Sequence, residues 1–173
     1  MNIFFLHRLA PVAAGMHCDK HVGKMLIESC QLLATAHHHH GHPVTYKPTH
    51  VNHPSNVWTR QSRLHYNYVA ILALYLGREF YKRYGKRHKS YDMLLDELYD
   101  APVALYDQPA TWIDPPLAMP DEYKCEDTVL AYRRFYASKR ERMPMVYFQG
   151  NQPAPLWLTD IWNEYEEKTS ETS

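Results

Sequence analysis

Five residues early in the chain, His17, Asp19, His21, Lys24 and Glu28, carry groups that move protons, hold anions or bind metals. His17 and His21 have the i, i+4 spacing at which two imidazoles on one helix can chelate a metal ion. No third ligand lies adjacent, since Glu28 is more than one further turn away, so no metal is assigned. A carboxylate near imidazoles and an ammonium can instead stabilise a developing cation or transfer a proton near neutral pH. The plainer alternative is a solvent-facing ladder of i, i+4 pairs such as Lys24–Glu28.

Three further stretches concentrate polar groups. Tyr46-Lys47-Pro48-Thr49-His50-Val51-Asn52-His53-Pro54 gathers hydroxyl, ammonium, imidazole and amide groups on a proline-stiffened loop. A helix follows, and its N-terminal amides favour a phosphate near Asn52, His53 and Ser55; turn and capping chemistry explains the same residues equally well. Asp121, Glu122, Tyr123 and Lys124 cluster where a loop meets a helix. Pro and acids at a helix start need no function, yet the cluster is also a candidate contact. His37–His40 with His42 is a tract that could bind metals adventitiously, and it reads as a flexible surface segment.

The elements that must position these groups are mostly helical. Val22, Met25, Leu26, Ser29, Leu32, Leu33 and Ala36 recur at spacings of three and four, predicting a helix from about His17 to Ala36. His17, His21, Lys24 and Glu28 then stack on another face. Pro43, Pro48, Pro54 and Gly41 break the pattern over His37–Asn56, giving a long ordered loop. One long helix is expected from Asn56 to about Arg83, capped by Ser55 or Asn56 and ended by Gly85. Ser90 caps a shorter helix through Leu98, a loop spans Ala101–Pro120, a helix covers Asp121 or Cys125 to Lys139, and a last amphipathic piece covers Leu156–Tyr165. Asn2–Leu6 reads as a short extended N-terminal arm. The expectation is a mainly α, compact domain of about four to five helices over residues 1–166, with a frayed tail over 167–173.

Composition narrows the classes. With 45 % hydrophobic and 22 % charged residues in a chain of 173, a real core is expected and disorder is not. Acids and bases balance at 19 each, so no global field draws the chain to nucleic acid and local patches must do so. Basic runs at Arg60–Arg63, Arg78–Lys89 and Arg133–Arg142 could serve, though such runs also form solvated helix faces. Three cysteines without a CxxC suit a reducing compartment, and no segment reads as a signal peptide or membrane span, so a cytoplasmic location is expected. No P-loop, GxGxxG or GxSxG motif occurs, which disfavours common nucleotide hydrolases, dehydrogenases and serine hydrolases.

Met1–Leu6, His17–Leu33, Lys47–Pro54 with Trp58, and Ala118–Lys124 together resemble a widespread phage-encoded family, over a span reaching about Tyr136. His21-Val22-Gly23-Lys24-Met25-Leu26-Ile27-Glu28, followed by His53-Pro54 and Trp58, more distantly resembles the pyrimidine-dimer DNA glycosylase/AP-lyase superfamily of small helical proteins. That resemblance implies that Glu28 matches a catalytic glutamate and that His21 lies near a substrate phosphate or base. It also implies that an N-terminal α-amine attacks the sugar C1′ to form a Schiff base. An α-amine is partly neutral at pH 7, with an ordinary pKa of about 8. Asn2 is not the small residue after which an initiator Met is removed, so Met1 is expected to be retained, its own amine becoming the nucleophile with altered reach.

The resulting expectation is a phage-type protein acting on DNA bases or nucleotides through N-glycosidic-bond chemistry, a role in DNA modification or repair. Glu28, the Met1 amine and His21 are its catalytic groups, and no cofactor is required. His17, Lys24, Tyr46, Lys47, His50, Asn52, His53, Trp58, Asp121, Tyr123 and Lys124 are the candidate substrate contacts, with Trp58 or Tyr46 stacking on a flipped base. The alternative is an anti-defence module that sequesters a host immune-signal nucleotide without chemistry. A metal protein built on His17 and His21 is a third reading. The partner is DNA or a small nucleotide, not a membrane, and the aromatic inventory permits a homodimer.

Overall fold

The computed structural model describes residues 2–171. Seven α-helices occur among them: α1 (Ala10–Gly15), α2 (Asp19–His39), α3 (Pro54–Gln61), α4 (Arg63–Tyr84), α5 (Lys89–Met93), α6 (Thr128–Ala137) and α7 (Leu156–Glu171). The described residues contain no strands, so the all-α class stands while the count exceeds the four to five expected. No helix among them is long and apolar enough to cross a membrane.

The core forms where α2 packs along α4, with α1 and α3 closing its sides. Met25, Leu26, Leu32 and Leu33 of α2 meet Val69, Leu72, Ala73 and Leu76 of α4, all fully buried. Ile3, Phe5 and Leu6 enter the same core, so the N-terminal segment is an internal element. It is kinked at Phe4, whose φ of 41° is unusual for a bulky residue. At Gly77 of α4 an added Cβ would fall 1.9 Å from the Tyr91 ring, so the bare backbone there is what admits α5.

The expected long helix over 56–83 is two. Ser62 is extended (φ −151°, ψ 144°) and its hydroxyl accepts from the Leu64 amide, ending α3 and starting α4. The break lets His65 lie flat on Trp58, ring centroids 4.3 Å apart, while its Nδ1–H donates to the Trp58 carbonyl. The cap of α3 is His53, whose Nδ1 accepts from the Ser55 amide, and not Ser55 or Asn56. Likewise His88, and not Ser90, caps α5, which runs on as a π-helical turn through Leu98.

The histidine tract also departs from expectation. α2 continues through His39 because its imidazoles find acceptors: His37 Nε2 donates to the Tyr66 hydroxyl (2.9 Å), His38 to the Tyr46 carbonyl (2.9 Å) and His40 to the Arg60 carbonyl (3.0 Å). Such bonds at a helix C-terminus turn a polar run into a cap.

Candidate functional site

Glu28 lies on α2, where its side chain keeps 15 % exposure and so remains reachable. Its Oε2 accepts a 2.9 Å hydrogen bond from the Asn2 backbone N–H, and its Oε1 stands 3.9 Å from Lys24 Nζ. Asn2 is fixed twice more: its Nδ2 donates to the Ala118 carbonyl (3.0 Å) and its Oδ1 accepts from the Ile3 amide (2.8 Å). The loop ahead of Asp121 therefore anchors the start of the chain against Glu28. The α-amine expected of Met1 lies outside the described residues.

Around this contact is a cavity of about 290 Å³. Its polar wall is Asn2, His21, Lys24, Glu28, Lys139 and Arg142; its apolar wall is Phe4, Met25, Phe135 and Met143. Three cations face one carboxylate, so the cavity as a whole favours an anion.

His21 is buried against Phe4, rings near parallel with centroids 5.4 Å apart, and against Tyr136 at 5.2 Å. The strained Phe4 backbone thus presents its ring to both His21 and the cavity, and the contacts to Phe135 and Tyr136 hold it there. Burial, reinforced by the charges of His17, Lys24 and Lys139, pushes the His21 pKa down to about 3. His17 stands before α2, preceding its cap Cys18, and not on the helical stripe. It is fully buried, and its Nδ1–H donates to the Ala13 carbonyl at 2.7 Å. Burial takes its pKa down to about 4. Both imidazoles are neutral at pH 7, and His17 Nε2 and His21 Nδ1 are buried without hydrogen-bond partners. Among the described residues no three His, Cys, Asp or Glu side chains converge as a metal-holding group.

The loop residues divide. His53 lies within electrostatic reach of Glu28: burial lowers its pKa, and the Glu28 carboxylate opposes that shift. Tyr46 and Lys47 line a different hollow with Ser90, to which the Tyr46 hydroxyl is bonded at 2.9 Å. Asn52 and Trp58 line a third with Ile113, while His50 is exposed and its Nδ1 meets the Thr49 hydroxyl at 2.7 Å. Trp58 is buried and committed to His65 and the Ile113 carbonyl. The α3 amide expected to face a phosphate at Ser55 already donates to the His53 ring. Asp121 pairs with Lys124 at 2.7 Å, and Tyr123 packs on Phe135, its far side opening on a separate hollow with Arg140 and Tyr165.

The structure therefore gathers Asn2, His21, Lys24 and Glu28, with His53 nearby, and leaves the other candidates among the described residues elsewhere. Lys139 and Arg142 were missed as individual residues. The signal for Lys139 is its spacing of four from Phe135, which sets an ammonium over a ring; Nζ lies 3.6 Å from the ring centroid, and the sequence carries no comparable signal for Arg142. Compared with models of known families, with curated proteins and with solved structures, the chain finds no match.

Proposed function

We propose that the Glu28 cavity takes a nucleotide unit and acts on its N-glycosidic bond or on the abasic sugar beneath it, in the manner of a DNA glycosylase/AP-lyase. The observation that carries this reading is the 2.9 Å bond from the backbone of residue 2 to Glu28 inside a cation-lined cavity. It joins the beginning of the chain, a carboxylate and an anion-favouring wall in one place. Lys24 and Arg142, both solvent-accessible, suit a phosphate; Phe4 and Phe135 give flat apolar surface for a base or sugar. Glu28 stabilises cationic character at C1′ and relays protons, and an amine attacks C1′. His21, neutral and wedged against Phe4, forms the back wall and can accept or donate a hydrogen bond without adding charge. The substrate on this reading is DNA with a base turned out of the stack.

The test is base release and strand scission on damaged or modified duplex DNA, comparing the native chain with Glu28→Gln. Loss of turnover with retained binding supports the reading; no turnover by the native chain on any such substrate removes it.

A second reading, sequestration of a small nucleotide, is favoured by two features. The formal net charge is zero, and the cavity, about 290 Å³, sits at the small end of ligand sites, which span roughly 300–1,000 Å³. Tight binding of a free nucleotide that is recovered chemically unchanged would select it.

A further inference from the structure

The reading above needs an amine, and the cavity wall contains one that the sequence did not single out. Lys24 is mostly exposed, at 63 %, and is paired with Glu28. Arg142 carries a guanidinium, which stays protonated and does not add to carbonyls. Lys139 differs from both. It follows α6 in a short 3₁₀ turn, is only partly exposed, and lies between two aromatic faces, 3.6 Å from the Phe135 centroid and 5.9 Å from that of Phe4. Burial lowers its pKa, Arg142 and Lys24 lower it further, and Glu141 opposes them. The ring contacts favour the ammonium and oppose those shifts, so what marks this lysine is its place: an amine held in the cavity wall by Phe135, with Glu28 lining the same space.

Asn2, by contrast, offers the cavity a backbone amide nitrogen whenever a residue precedes it, and an amide is not a nucleophile. We infer that Lys139 is the Schiff-base-forming residue of this site, acting on the C1′ aldehyde of an abasic deoxyribose with Glu28 across the same cavity. This inference rests on the glycosylase/lyase reading and names its nucleophile. The neutral Nζ adds to C1′, forming a C–N bond as the C=O π bond opens, and one N–H proton passes to the carbonyl oxygen to give a carbinolamine. Glu28 carries the second N–H proton to that hydroxyl, the C–O bond breaks to release water, and the nitrogen lone pair closes the imine. One amine and one aldehyde give one imine and one water, with no redox change.

The experiment uses the full chain, two duplex oligonucleotides, one with a single abasic site and one with a single damaged base, and sodium borohydride to reduce the imine to a stable secondary amine. Proteolysis and mass spectrometry then locate the adduct. The expected result is an adduct on Lys139, lost in Lys139→Arg, which keeps the positive charge and DNA binding but cannot form an imine. An adduct on the Met1 α-amine, or full trapping by Lys139→Arg, overturns the lysine assignment and leaves the glycosylase/lyase reading standing. Base release that depends on Glu28 but gives no adduct also overturns it, since water is then the nucleophile. Neither adduct nor base release by the native chain ends both.

Discussion

Two carboxylates of α2 meet cations in opposite ways. Asp19, in the first turn, is sealed: Arg83 Nη1 is 3.2 Å from its Oδ1, and the Phe148 and Gln149 amides donate to it at 2.9 and 2.7 Å. The Arg83 side chain has no exposure, and it also bonds the His17 carbonyl (2.6 Å) and Glu79 (2.9 Å) while stacking under Phe148. The group ties α1, α2, α4 and the segment after α6 together. Glu28, further along the same helix, faces a cavity with Lys24 Nζ 3.9 Å from its Oε1, and the neighbouring imidazole has a buried nitrogen without a hydrogen-bond partner. The first arrangement closes a structure, and the second leaves room for something to be bound. Whether a carboxylate is enclosed by its own fold or opens on a cavity, more than its residue type, separates a strut from a site.

Mutations can break that comparison. The largest effect is expected at Arg83→Ala, which strands Asp19 in a buried position and should cost about 3–5 kcal/mol of stability in urea or thermal unfolding. A loss below about 1 kcal/mol would mean the knot is not structural.

Glu28→Gln should do the reverse. Turnover on the substrate should fall by roughly 10²–10⁴-fold while the unfolding midpoint changes little. If Glu28→Gln instead unfolds the protein and leaves turnover intact, the contrast between the two carboxylates collapses.

A pH titration sharpens it. His17 and His21 stay neutral in the fold to about pH 4 and 3, whereas in the unfolded chain they protonate near 6.5. The unfolded state therefore binds more protons below 6.5, and stability should fall as pH drops from 6.5 toward 4 by about 1.4 kcal/mol per unit for each imidazole. Denaturant midpoints at pH 7, 5.5 and 4.5 measure this, and His21→Phe should flatten the slope. The smallest effect is expected at Lys24→Gln, where the ion pair to Glu28 is largely solvated and worth about 0–1 kcal/mol of stability. Substrate KM should rise more than kcat falls, as a phosphate contact requires.

The helical class, the polar face of α2 and the Gly85 stop were legible because each is written in local spacing and local conformational preference. The break at Ser62 was not, since its reward is the His65–Trp58 stack, a contact formed across the break it makes. The same holds for the histidine tract, ordered by acceptors at Tyr46, Arg60, Tyr66 and Asp100 that sequence proximity does not reveal. Within the candidate site, His21, Lys24 and Glu28 share one helix and could be read together. Lys139 and Arg142 arrive from the other end of the chain, and their run of charge looks like any solvated face until Phe4 and Phe135 are seen beside it. The proline-stiffened loop reads as one site, yet its residues part: His53 stands in electrostatic reach of Glu28, while Tyr46 and Lys47 line a hollow with Ser90 and Asn52 lines another with Ile113.

The clamp on Asn2 has a consequence for how such a chain matures. Whatever is joined ahead of Asn2 is joined through the nitrogen that bonds Glu28, so trimming or decorating the polypeptide there would redraw the chamber itself. A chain cut to begin at residue 2 would exchange an amide for an amine at the very nitrogen Glu28 now grips, and would be a different protein at that spot.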